Sequence, residues 1–180
     1  MINSPATLPR MTPQEYLAYE QNQPIRHELV DGYLYAMTGA SDRHEEIALN
    51  LAAALRFHLR GTSCRVYKGD LKIRVADEFY YPDVFVRCSK ERGDPYFKID
   101  PLLVAEVLSP GTQRYDRGDK QLAYFSLPTL QEYVLIAQDR MQVIVYRRHQ
   151  PGSTERLEQA DDVLRLESVD FTITLGELYE

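Results

Sequence analysis

Apolar residues recur at distinct spacings along this chain, and each spacing predicts an element. Between Ser41 and Gly61, the residues Ile47, Leu51, Ala54, Leu55 and Leu59 return at helical spacing, with Ser41 or Asp42 placed to cap the helix and Gly61 to close it. Upstream, Thr12 followed by Pro13 and Glu15 has the form of a capping box, so a short helix is expected from there to near Gln21. From Ile25 to Met37, apolar and tyrosine positions flank Asp31-Gly32, a pair suited to a tight hairpin turn because glycine accepts positive φ. Segments 64–75, 83–88 and 102–108 are β-branched or apolar and bounded by Pro, Gly and Asp. They read as three strands, the last nearly all apolar, as a central strand should be. Residues 115–127 predict a helix closed by Pro128, and strands 132–137 and 141–148 follow, so a crossover joins 102–108 to 132–137. Residues 162–180 predict one or two short edge strands and a last turn of helix. The element order gives an α/β fold with a mixed sheet.

A length of 180 residues suits one domain. Its expected parts are an N-terminal helix and hairpin (1–40), a core (41–148) and an acidic C-terminal extension (149–180). With 44% hydrophobic and 27% charged residues the chain can bury a sizeable core, which excludes a disordered or fibrous protein. No apolar run approaches the roughly 20 residues needed to cross a bilayer, and the first residues lack the apolar stretch of a signal peptide. A cytoplasmic location without a membrane partner is therefore expected. Cys64 and Cys88 are too few for a zinc framework, and in a reducing compartment they are expected to be unbonded core residues.

The net charge of −6 would argue against a nucleic-acid partner if it were spread evenly. It is not. Residues 151–180 hold eight acids against Arg156 and Arg165, which accounts for the whole −6. Arg56, Arg60, Arg65, Lys68, Lys72 and Arg74 stand against the single acid Asp70, a local excess of +5 that suits phosphate contacts. Taken alone, such a run is more often the mark of a solvated face.

Glu106 is the one charged residue in the apolar strand 102–108. A carboxylate there must be paired, metal-bound, protonated or at a strand end reaching water. Asp83, stiffened from behind by Pro82, opens the preceding strand. Two carboxylates at adjacent strand ends can share one divalent cation, and hard oxygen ligands suit Mg2+ or Mn2+. Asp116, Lys120 and Tyr124 are spaced four apart and share one face of the following helix. As an exposed pair, Asp116 and Lys120 would add only a few tenths of a kcal/mol, so removing Lys120 should leave folding nearly intact. Beside two carboxylates, however, the lysine can steady charge in phosphodiester hydrolysis.

Pro82-Asp83, Ala105-Glu106-Val107-Leu108-Ser109-Pro110, Asp116 to Lys120 with Tyr124, and Glu132-Tyr133-Val134-Leu135 together resemble the large bacterial family called Uma-two. The similarity extends to His27-Glu28-Leu29-Val30-Asp31-Gly32, to His44, and to Leu175-Gly176-Glu177-Leu178-Tyr179, and so covers nearly the whole chain. The resemblance implies a restriction-endonuclease-like core of helix, three strands, helix and strand, of the PD-(D/E)xK type, flanked by helices. It makes Asp83 and Glu106 the motif acids, with the Val107 carbonyl as a further metal ligand. The motif lysine is replaced by Leu108, and the resemblance suggests that Lys120 has taken over its charge. Glu28, His44, Asp116 and Tyr124 would border the pocket, and Arg56, Arg60, Lys68, Lys72 and Arg74 would meet DNA.

Two functions follow as expectations. The first is a Mg2+- or Mn2+-dependent endonuclease hydrolysing DNA phosphodiester bonds, with Asp83, Glu106 and Lys120 as its catalytic residues, no nucleotide cofactor, and a homodimer to cut two strands. The second is an inactive module of the same fold that binds nucleic acid or a protein, for which the loss of lysine at Leu108 and the modest overall basicity speak. Convergence of Asp83, Glu106 and Lys120 in space discriminates between them.

Overall fold

The computed structural model describes residues 9–37, 39–109 and 118–180. Helix α1 (Pro13–Glu20) starts with the expected capping box: Thr12 Oγ1 accepts from Glu15 N, and the Glu15 carboxylate accepts from Thr12 N at 2.8 Å. Its buried Tyr16 packs with Leu29, Leu34 and Phe79. Strands β1 (His27–Val30) and β2 (Tyr33–Ala36) form the hairpin, with φ of +51° at Asp31 and +80° at Gly32. Gly32 also needs its missing Cβ, because one there would meet Arg10 Cβ at 3.3 Å.

Helix α2 (Asp42–His58) is capped by Ser41 and buries Ile47, Ala48, Leu51, Ala52 and Leu55. After it, the segment expected as one strand divides into β3 (Arg65–Lys68) and β4 (Lys72–Val75). The break falls at Gly69, whose φ of +77° turns the chain out of one sheet and into another. Strand β5 (Glu78–Tyr80) pairs with β4 and β1, and a two-residue β7 (Phe97–Lys98) runs parallel to β4. The resulting five-stranded sheet has the order β2-β1-β5-β4-β7.

The larger sheet adds β6 (Val84–Arg87), β8 (Leu103–Leu108), β9 (Glu132–Ala137), β10 (Val143–Arg147) and β11 (Thr154–Leu157), in the order β11-β10-β9-β8-β6-β3. All neighbours are antiparallel except β8 and β9. Their parallel crossover contains helix α3 (Asp119–Ser126), and the expected helix residues 115–117 lie outside the described residues. The core order α2, then β3, β6 and β8, then α3 and β9 is the helix, three strands, helix and strand expected from sequence. One mixed sheet was expected; the chain builds two sheets and a separate hairpin, β12 (Val163–Leu166) with β13 (Phe171–Thr174), before helix α4 (Leu175–Leu178).

Alternation along β8 and β9 sends Leu103, Ala105, Val107, Val134 and Ile136 to one face, against α2, α4 and the β12–β13 hairpin. Val104, Leu108, Tyr133 and Leu135 go to the other, against Tyr124 of α3 and Ile73, Val75 and Tyr80 of the smaller sheet. Both faces of the central strands are therefore covered, which is why they read as continuous apolar runs. Among the described residues no helix is long and apolar enough to cross a membrane.

The expectation for the cysteines is overturned. Arg65 on β3 stands opposite Arg87 on β6, so the flanking Cys64 and Cys88 also face each other, and a disulfide joins them. A separation of 24 residues carries no sign of that register.

At the other end of the sheet, buried Glu132 joins the C-terminal segment to β9. Its Oε1 accepts from Arg147 Nε at 3.3 Å and Glu167 N at 3.0 Å, and its Oε2 accepts from Ser168 N at 2.9 Å. Glu132→Ala strands these donors in a site where Glu132 itself is only 2% exposed. The expected cost is about 3 kcal/mol of unfolding free energy, read from denaturant titration, with Glu132→Gln losing less.

Candidate active site

Strand β8 outruns β6 at the end where β6 begins. The last paired residues are Val84 and Ala105, so continuing the register places Glu106 opposite Asp83. Asp83 N lies 3.4 Å from Glu106 Oε2, and Asp83 Oδ2 accepts from Val107 N at 2.7 Å. A strand residue directs its N–H and its C=O to the same edge, so the Val107 carbonyl is also turned toward Asp83. Gly69 N holds the Asp83 carbonyl at 3.1 Å, using the turn that divides β3 from β4.

Three further elements bring side chains to this edge. Helix α3 delivers Lys120, whose Nζ lies 2.9 Å from Glu28 Oε1 of β1 and 3.5 Å from Glu106 Oε1. One turn on, Tyr124 OH donates to Glu106 Oε1 at 3.3 Å. The first turn of α2 brings His44, with Nε2 2.9 Å from Asp83 Oδ1. Burial pulls the His44 pKa down, but its hydrogen bond to Asp83 and the Asp83 charge outweigh burial, and the net shift is upward. Burial, reinforced by the Glu106 charge, holds Tyr124 well above the ordinary phenol range, so it remains a donor.

Glu28, His44, Asp83, Glu106, Val107, Ser109 and Lys120 line a cleft of about 410 Å³. Behind it lies a network that the sequence did not reveal. Glu20 Oε1 accepts from His27 N at 2.8 Å and from Tyr81 OH at 3.0 Å, while Lys72 Nζ donates to Tyr81 OH at 3.2 Å. Tyr81 N in turn donates to Glu28 Oε1 at 3.1 Å. The residue before Pro82 thus helps to set both Glu28 and the approach to Asp83. The signal for it was slight: a tyrosine before the Pro-Asp pair, where tyrosines are plentiful.

Of the residues singled out from sequence, Asp83, Glu106, Val107, Lys120, Glu28, His44 and Tyr124 converge on this edge. Asp116 lies outside the described residues. Lys120 is not the exposed helix lysine that its spacing suggested: it is 6% exposed, and its ammonium sits between two carboxylates. Leu108 is 1% exposed and points to the same side of β8 as Glu106, among Val104, Tyr124, Tyr133 and Leu135.

The five basic candidates do not form one face. Lys68 lines the cleft and pairs with Glu45. Lys72 is buried against Tyr81, and Arg74 binds the Ala76 carbonyl at 2.7 Å beside Asp77. Arg56 and Arg60 are exposed at the far end of α2, with Arg56 about 18 Å from His44 along the helix axis. Arg26, unremarked in the sequence, lines the cleft and pairs with Asp70.

The donor set at the cleft floor fits a hard divalent cation. Among the described residues, Glu28, Asp83 and Glu106 bring three carboxylates to the edge that holds Lys120 and His44, and Asp83 with Glu106 offers oxygen ligands beside the Val107 carbonyl edge. Among the described residues no three His, Cys, Asp or Glu side chains form a ready cation cage.

The mixed sheet with both faces covered makes this an α/β protein, and two acids, Asp83 and Glu106, meet at its β6–β8 edge. The family model of Uma2, described as "Putative restriction endonuclease", matches residues 13–176, and the chain belongs to that family. It is similar to two proteins of Synechocystis sp. (strain ATCC 27184 / PCC 6803 / Kazusa). "Uncharacterized protein slr1290" is 37% identical over 178 residues, covering 97% of this chain and 94% of the relative. "Uncharacterized protein sll1609" is 29% identical over 148 residues, covering 79% and 84%. The crystal structure of "a putative nuclease belonging to DUF820" from Anabaena variabilis ATCC 29413 shares the fold, with a TM-score of 0.80 at 19% identity over 94% of this chain and 97% of that one.

Proposed function

We propose that this protein is a Mg2+- or Mn2+-dependent endonuclease that hydrolyses DNA phosphodiester bonds in the cleft at the β6–β8 edge. The observation that carries the reading is the convergence of two strand-edge carboxylates with a buried lysine returning from α3, 3.5 Å from Glu106. Asp83, Glu106 and the Val107 carbonyl would hold the cation, which when bound supplies polarisation of the phosphoryl oxygens. The chain's own residues do the rest. The Val107 amide and His44 hold the two oxygens of Asp83, and Tyr124 holds Glu106. Lys120, fixed between Glu28 and Glu106, is placed to orient the attacking water and to offset charge growing on the phosphorane oxygens. Lys68 and Arg26 at the cleft wall are placed to receive the flanking phosphates.

Leu108 and the modest overall basicity are the arguments for the binding-module reading, since the motif lysine's place on the strand is filled by core. A cleavage assay separates the two. Single-stranded, double-stranded and branched DNA, with RNA alongside, should be cut in Mg2+ or Mn2+, and cutting should stop in EDTA. Binding to these substrates without metal-dependent cleavage by any preparation would favour the module.

A further inference from the structure

Helix α2 is apolar on two opposite faces. Ile47, Ala48, Leu51, Ala52 and Leu55 pack into the core. On the outer side Leu49 is 57% and Phe57 70% exposed, with the small, exposed Ala53 midway between them. At about 100° per residue, these three lie within about 40° of one line and Glu46 about 20° from it, while Arg60 follows just past the helix end at His58. A helix with a second apolar stripe facing outward is built to meet a second partner.

We propose that this stripe pairs with the same stripe of a second copy of the chain, antiparallel and centred on Ala53. The spacing carries the choice of occupant. Leu49 and Phe57 stand equally far on either side of Ala53, and so do Glu46 and Arg60. A two-fold axis through Ala53 therefore sets Leu49 level with Phe57 of the second copy and Glu46 level with Arg60 of the second copy, and both matches occur twice. A parallel pairing would instead oppose Glu46 to Glu46 and Arg60 to Arg60.

Alanine at the crossing lets the helix axes approach to about 8 Å. In the single chain the Arg60 guanidinium rests over the Phe57 ring, 5.1 Å from its centroid, and Glu46 reaches Arg43 only at 3.5 Å between exposed side chains. Beside the stripe, Asn50, Ala54 and His58 form one wall of a shallow groove whose other wall is Phe171, Thr172 and Ile173 of β13, and this widens the surface on offer. A helix of 17 residues, about 26 Å long, still gives an interface at the small end of the range, so the association belongs in the micromolar regime. The pairing is independent of the chemistry in the cleft. It sets the two His44 residues, and with them the two clefts, at opposite ends of the helix pair, about 27 Å apart along its axis.

Sedimentation equilibrium of the full chain, over roughly two decades of micromolar concentration, tests this. A monomer–dimer equilibrium is expected, and Phe57→Asp should weaken it by at least about tenfold. Glu46→Arg and Arg60→Glu should each weaken it, and the double exchange Glu46→Arg/Arg60→Glu should restore it. All these positions are exposed, and an unchanged melting temperature confirms that each variant folds. A monomer at every concentration, a dimer indifferent to Phe57→Asp, or a double exchange no better than its single variants would each overturn the proposal. So would a monomeric chain in which Arg60→Glu weakens DNA binding, for the end of the stripe would then serve nucleic acid.

Discussion

Lys120→Ala is expected to lower cleavage on the order of 100-fold or more and, without a divalent cation, to lower unfolding free energy by about 3–5 kcal/mol. The second effect follows from where the lysine lies. Its side chain is 8% exposed and sits between Glu28 and Glu106, themselves 10% and 5% exposed, so truncation takes a positive charge away from two carboxylates in a poorly solvated pocket. A divalent cation should recover part of the lost stability by supplying charge to Glu106, and denaturant titrations with and without Mg2+ measure that recovery. The cleavage loss should persist at saturating Mg2+, because restoring the charge balance does not restore a donor poised for the transition state. Equal cleavage by wild type and Lys120→Ala, in preparations shown free of contaminating nuclease, would remove Lys120 from the mechanism.

The same geometry explains how the lysine can leave the strand. Leu108 occupies the motif position on the Glu106 face of β8, but its neighbours there are Tyr124, Leu130, Tyr133 and Leu135. An ammonium among them would be buried without water, whereas one arriving from α3 meets Glu28 as a second partner. On the proposed mechanism, Lys120 supplies beside Glu106 the charge that the motif carries two residues further along the strand.

Much of this framework is visible in local pattern. The capping box of α1, the Asp31-Gly32 hairpin, the apolar spacing of α2 and the all-apolar runs of β8 and β9 are short-range signals, and each element forms where its signal lies. The division of 64–75 is hidden because apolar alternation continues through Gly69-Asp70, so that only the glycine marks a change of sheet. Strands β5, β7 and β11 have two to four residues, too few to establish a period of two. Within the site, Glu106 stood out because a carboxylate in an apolar strand demands a partner. The residues around it could be named, but not their pairings: His44 reaches Asp83 across 39 residues and Lys120 reaches Glu28 across 92, contacts that depend on how α2, α3 and β1 are arranged about the sheet. Charge counting likewise gives no direction to a side chain, and Lys72, counted with the basic run, turns inward to Tyr81.

Asp83→Asn combined with Glu106→Gln is expected to abolish measurable turnover and divalent-cation binding while costing the fold little. Both substitutions preserve shape. The asparagine replacing Asp83 can still accept from the Val107 amide, and the glutamine replacing Glu106 can still meet the Tyr124 hydroxyl, so the contacts of 2.7 and 3.3 Å have replacements. Among the described residues the charge balance also becomes easier, since one of the two carboxylates beside Lys120 loses its charge while Glu28 keeps its ion pair. The cation loses both carboxylate ligands and keeps at most the Val107 carbonyl, too little to displace its hydration shell. Isothermal titration with Mg2+ and Mn2+ reads the binding, and thermal denaturation reads the fold. Binding of the cation to the double variant with wild-type affinity would place the metal elsewhere and overturn this site, whatever activity the protein retains. Loss of binding with an unchanged melting temperature would assign the two carboxylates to the cation and leave the fold to the packing around them.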